Sequence, residues 1–172
     1  MARLKLTVEY DGRPFSGWQA QPQGNTIQQA LEGSLFTYLR SEGKKRNITL
    51  SETIDITASG RTDAGVSARG QVCHFDLPQG LELDQGMLQQ SLNGILDKSV
   101  KVRDIEIVDS SFHSRHSPHS KVYSYRMSMT DYPRAFEPEL SYPIGKGVNL
   151  GRMIDAATVS YTHLTLPTKR IV

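Results

Sequence analysis

Cysteine is almost missing from this sequence. Its 172 residues contain one, Cys73, which excludes an internal disulfide framework and argues against a cysteine-based metal site. Cys73 itself reads as a small buried hydrophobe. No run of 18 apolar residues occurs, so no transmembrane helix is expected. The opening Met1-Ala2-Arg3-Leu4 passes straight into a strand pattern with no signal-peptide core, and the expected setting is the cytoplasm. Excess charge is also lacking. Lys plus Arg number 20 against 18 for Asp plus Glu, a net +2. Lys169 and Arg170 supply both units, since residues 159–172 hold no acid, and the body of the chain is neutral.

Acid is absent again between Asp109 and Asp131, where His113, Arg115, His116, His119, Lys121 and Arg126 lie. A stripe of this kind is the footprint a phosphate backbone requires, although a solvated face has the same composition. The three histidines recur every third residue, but no carboxylate or cysteine accompanies them, and Pro118 opposes a helix that would present all three. No metal is expected there. Lys44-Lys45-Arg46 reads as a solvated loop.

What is present is an α+β pattern. Leu4, Leu6, Val8 and Tyr10 alternate with polar neighbours, as in a half-buried strand. Asn25 or Thr26 can cap a helix running to about Arg40, with Ile27, Ala30, Leu31, Leu35, Tyr38 and Leu39 on one face. Strands are expected through Ile54, Ile56 and Ala58 and from Val72 to Leu77. A second helix is expected from Asp84 to Leu96, burying Met87, Leu88, Leu92 and Ile95. Further strands follow at Val100–Ile107 and at Lys121–Met129, the last with Tyr123, Tyr125, Met127 and Met129 on one face. This order suits a two-layer split βαβ domain, ferredoxin-like or RRM-like, with helices on one sheet face and the other open to a ligand. The expected divisions are a first domain over 1–130, then a linker and the start of a truncated second domain over 131–157. Residues 158–172 are expected to be non-native, because Val159 to Thr168 back-translates codon for codon into a sequencing-library adapter. The other reading of that stretch is a strand of Thr, Leu and Val.

The densest chemistry lies at Ala58-Ser59-Gly60-Arg61-Thr62-Asp63-Ala64-Gly65-Val66. Two glycines permit a sharp turn and close backbone approach, and between them stand one guanidinium and one carboxylate. A carboxylate of ordinary aspartate pKa, about 3.9, is ionised at pH 7, and a neighbouring arginine favours that form. It can attack carbon or remove a proton but cannot act as a general acid. Asp63 can equally make an Asx-turn. No Gly-Lys-Ser/Thr ends the motif, which disfavours a nucleotide-binding loop.

These residues resemble the TruA family of tRNA pseudouridine synthases. The likeness is carried in order by Tyr10-Asp11-Gly12, Phe15, Gly17-Trp18-Gln19, Gly60 to Val66, Gly70-Gln71-Val72 with His74-Phe75, Phe112-His113 with Arg115, and Lys121 with Tyr123 and Tyr125. It runs from Leu4 to about Ala157. Ser67 departs from a histidine common in the motif, and the family's second half is missing from the chain. The resemblance implies the N-terminal half of the pseudouridine synthase fold. It also implies isomerisation of uridine to pseudouridine in the anticodon arm of tRNA, at positions 38 to 40, by a homodimer that uses no metal and no organic cofactor. By the same resemblance Asp63 falls on the catalytic aspartate, Arg61 on an active-site arginine, and Tyr123 on the tyrosine against the target uracil. Arg115, Lys121 and Arg126 are candidate RNA contacts. The chain by itself is expected to be inactive. Two other readings stay open: a non-catalytic RRM-like RNA-binding module, since exposed aromatics on a sheet bind single strands, and a glycosidase-like hydrolase, which wants a second opposed carboxylate.

Overall fold

The computed structural model describes residues 2–50, 53–117, 120–129, 141–145 and 147–163. It divides into two compact units, Met1–Pro118 and His119–Val172, each described by itself.

In the first unit, β1 (Arg3–Tyr10) leads to α1 (Ile27–Lys45), then β2 (Thr57–Ala58), β3 (Ala68–Asp76), α2 (Gln85–Ile95) and β4 (Val100–Val108). The sheet order is β2-β3-β1-β4, with every neighbouring pair antiparallel. That is the expected split βαβ topology. Strand β1 is central, and its alternation is clean: Leu4, Leu6, Val8 and Tyr10 are buried and the residues between them half-buried. Those four share a core with Leu31, Leu35 and Leu39 of α1 and Leu88 and Leu92 of α2.

Helix α1 is capped as expected: the Thr26 hydroxyl accepts from the Gln29 N–H. It continues one turn past Arg40, to Lys45. Gly43 is buried, and a Cβ there would stand 2.8 Å from the Ile48 carbonyl oxygen, so this glycine packs the helix end rather than breaking it. Glu42 pairs with Lys45 and Arg46, and cations suit a helix C-terminus. Helix α2 begins at the Asp84 cap but buries only half the residues expected of it. Leu88 and Leu92 are fully covered, whereas Met87 and Ile95 are exposed. The core space beside them goes to Leu81 and Leu96 from the flanking turns.

Strand β3 starts four residues earlier than expected, because its ladder with β1 continues through Thr7↔Val72 and Val8↔Gln71 to Tyr10↔Ala68. The polar run Ala68-Arg69-Gly70-Gln71 conceals it in the sequence. The strand expected from Ile54 shrinks to Thr57–Ala58, though Ile54 and Ile56 are buried. On β4 the register shifts opposite Thr7 and Val8. At that bulge α2 covers the sheet border: Asn93 Oδ1 accepts from the Val102 N–H at 2.8 Å and Asn93 Nδ2 donates to the Val102 carbonyl at 2.9 Å. Gln89 donates to the carbonyls of Val102 and Arg103. The sheet face away from the helices is not bare. His74 is buried there, with the rings of Phe112 and His113 at 6.0 and 5.0 Å.

In the second unit β5 (Met127–Ser128) pairs parallel with β6 (Tyr142–Pro143), and α3 spans Leu150–His163. The strand expected over Lys121–Met129 is thus reduced to two residues. Alternation makes a strand only where a neighbouring backbone supplies hydrogen bonds, and among the described residues β6 offers a ladder that short. Lys121, Val122, Tyr123 and Tyr125 are exposed outside regular structure. Helix α3 begins within the expected linker and second-domain start over 131–157 and runs on into the residues expected to be non-native. Residues 130–140, which include the first part of the expected linker, lie outside the described residues, as do 164–172. No helix among the described residues is long and apolar enough to cross a membrane.

Candidate active site

The Gly60–Val66 turn leaves the sheet between β2 and β3. Its first stretch is held by β3: the Ser59 N–H donates to the Val72 carbonyl at 2.8 Å, and Gln71 Nε2 donates to the Gly60 carbonyl. Its middle rests on the loop that follows β1. The Trp18 N–H donates to the Thr62 carbonyl at 3.0 Å, and the Gly65 N–H to the Phe15 carbonyl at 3.3 Å. The Thr62 hydroxyl meets the phenol of Tyr10 at 2.8 Å.

Two glycines of the supporting loop make this contact possible. A Cβ on Gly12 would lie 2.0 Å from the Val66 carbonyl oxygen, and one on Gly17 would lie 2.9 Å from that of Thr62, at a φ of +105°. Gly65 also has a positive φ, +77°, but nothing crowds it. The loop in turn is fixed by buried Phe15 and Trp18, the latter 5.8 Å from the Tyr10 ring. Gln28 of α1 accepts from the Ala20 N–H at 3.1 Å. Glu32 accepts from Gln28 at 2.7 Å and from the Ile56 N–H at 3.1 Å, tying helix, loop and the entry to β2 together.

Thr62 points inward, and Arg61 and Asp63 on either side of it are exposed. A carboxylate and a guanidinium so presented can reach a ligand while the backbone beneath them is immobilised. Asp11, at the foot of the turn, serves a different end. Arg13 grips its carboxylate with contacts of 2.6 to 3.0 Å and holds its pKa down to about 2. Ser67 accepts from the Gly12 N–H at 2.9 Å, so this departure from the motif closes the base of the turn.

Of the other sequence candidates, Arg115 is exposed in the first unit, its N–H donating to His113 Nδ1 at 3.2 Å. Beside it, Ser114 is buried: its N–H donates to His74 Nδ1 at 3.2 Å and its hydroxyl donates to the Thr57 carbonyl at 2.7 Å. Burial lowers the pKa of His74, and the Arg3 and His113 charges lower it further. No trio of His, Cys, Asp or Glu among the described residues is arranged to hold a metal ion; His119 lies outside them. Lys121, Tyr123 and Arg126 belong to the second unit, where all three are exposed. Sequence reading named Tyr10, Gly12, Thr62, Ser67 and Gln71 as part of the motif but gave none of them a contact or a supporting role. The available signal was a tyrosine closing a buried alternation and a threonine between the two charged residues.

A family model described as tRNA pseudouridine synthase matches residues 6–117. The chain is 38% identical over 156 residues to the tRNA pseudouridine synthase A of Oceanobacillus iheyensis, covering 91% of this chain and 57% of that protein. It is 36% identical over 155 residues to the protein of the same name from Bacillus subtilis, covering 90% and 58%. With that of Ligilactobacillus salivarius it shares 40% over 135 residues, or 78% and 48%. The match thus spans about half the length of these relatives. The matched region contains β1 from Leu6 onward, the supporting loop and the whole Arg61-Thr62-Asp63 turn, and on this match the chain belongs to the tRNA pseudouridine synthase family.

Proposed function

We propose that this chain carries the catalytic aspartate of an enzyme converting uridine to pseudouridine at positions 38 to 40 of the tRNA anticodon arm. The observation that supports it best is the exposed Arg61–Asp63 pair on a turn whose backbone is clamped from below. The reaction breaks the C1′–N1 bond, turns the uracil and rejoins it through C5. Asp63 acts as nucleophile or base at the sugar–base junction. Arg61 holds phosphate or fills the gap in the base stack. A uridine in a helical arm must first be flipped outward, at a cost of a few kcal/mol. Stacking on Tyr123 returns roughly 1–3 kcal/mol of that. Arg115, Lys121 and Arg126 contact the RNA backbone. The family likeness further suggests a cytoplasmic homodimer whose activity needs the sequence that the relatives carry beyond this match.

Release of tritium from C5-labelled uridine in tRNA tests the reading, using the chain alone and the chain extended to its relatives' length. The extended protein is expected to release tritium and the chain alone none. Asp63→Asn should abolish release in the extended protein while tRNA affinity is kept. Turnover surviving that substitution removes Asp63 from the chemistry. Binding without release by the extended wild type favours an RNA-binding module, and an abasic product favours a hydrolase.

A further inference from the structure

The geometry points to Tyr10 and Thr62 as a positioning pair that sets the attitude of Asp63 through one hydroxyl–hydroxyl hydrogen bond. This rests on the function proposed above and assigns the pair no contact with substrate. Tyr10 is the last residue of the central strand, in register with Val100 on one side and Ala68 on the other. It is 3% exposed, and its ring leans on Trp18. A buried phenol needs a polar partner, and Tyr10 finds it at 2.8 Å in Thr62. Whichever hydroxyl donates, the bond runs from the most firmly held strand of the sheet to the residue beside Asp63.

The rest of the turn leans outward: Arg61, Asp63, Ala64, Gly65 and Val66 are all exposed. Backbone bonds from Trp18 and Gly65 fix its height above the loop. The Tyr10–Thr62 bond adds something they do not, because it holds the Thr62 side chain inward and so keeps its neighbours turned out. Phenylalanine at position 10 would fill the same core volume and leave Thr62 able to rotate. A nucleophile or base is sensitive to such rotation, since displacement by about 1 Å can cost on the order of 100-fold in rate.

The test is single-turnover tritium release by the extended protein, with tRNA affinity and melting temperature measured alongside. Tyr10→Phe and Thr62→Val should each slow release by about 10- to 100-fold at unchanged tRNA affinity. The double variant should be no slower than the worse single one, because the two groups act as a unit. Thr62→Ser, which keeps the hydroxyl, should restore the rate. Tyr10→Phe at the wild-type rate, or two losses that multiply, overturns the proposal. Amide exchange in the 172-residue chain separates its failure from failure of the proposed function. Even if no protein releases tritium, Tyr10→Phe should speed exchange at Trp18 and Val66, which donate to Thr62 and Asp63. Unchanged exchange at both amides also overturns it.

Discussion

Single atoms decide how the turn is seated, and the glycines show it. Gly12 leaves no room for a methyl group, because the obstacle is the Val66 carbonyl, which is backbone and cannot rotate away. Gly65 has room but a left-handed φ. Gly12→Ala should therefore cost at the upper end of the ~1–3 kcal/mol of an overpacked site. Gly65→Ala should cost about 1–2 kcal/mol for conformation alone, and Gly65→Asn less, since asparagine tolerates that region. Chemical denaturation of the three variants gives the order; a milder Gly12→Ala would mean that the loop yields. Ser67→Ala removes the acceptor of the Gly12 N–H and should cost about 0.5–1.5 kcal/mol. The charged residues of the turn were legible in the sequence because the motif surrounds them. The bond from Tyr10 to Thr62 was not, since a phenol whose partner lies 52 residues away looks locally like any buried aromatic.

At the level of elements, α1 braces as well as covers. Gln28 and Glu32 are not among the apolar positions that periodicity marks on this helix, yet Glu32 accepts from the Ile56 N–H and from Gln28. Glu32→Ala strands that amide and should cost about 1–3 kcal/mol; Glu32→Gln keeps an acceptor and should recover most of it. A shift of the urea midpoint at constant slope is the readout, and equal behaviour of the two variants would show that the carboxylate oxygen is dispensable. Apolar spacing made β1, α1, α2 and β4 readable because each buries one face against the same core. It failed at Lys121–Met129, where the alternation is genuine but, among the described residues, the partner ladder is two residues long. It failed also at the start of β3, where register with β1 rather than burial makes the strand.

Across the first unit as a whole, pH dependence should originate at His74. Its pKa is lowered in the fold, chiefly by burial, and an unfolded histidine titrates near 6.5. Between those two values the unfolded chain binds the proton first, so stability is lost as pH falls below about 6.5 and is complete above it. His113 is shifted in the same direction, by desolvation first and by the His116 charge next. The lowered carboxylates Asp76 and Glu106 are held down mainly by hydrogen bonds from Arg3 and Lys5. They lose their contribution only in the acid range below the histidines, which leaves the range just below about pH 6.5 to the imidazoles. Thermal melts should show the melting temperature falling across that window, with a smaller fall in His74→Gln. A flat profile would mean that His74 binds its proton equally well in the folded and the unfolded chain.

The bulge on β4 carries a consequence for assembly. Asn93 offers Val102 both a donor and an acceptor, as an adjoining strand would, so that flank is hemmed and resists accretion of foreign backbone. The opposite flank is hemmed likewise where the chain enters Thr57–Ala58, since Glu32 accepts from the Ile56 N–H and Gln28 donates to the Ile56 carbonyl, so a helix side chain clasps backbone at both borders of the sheet.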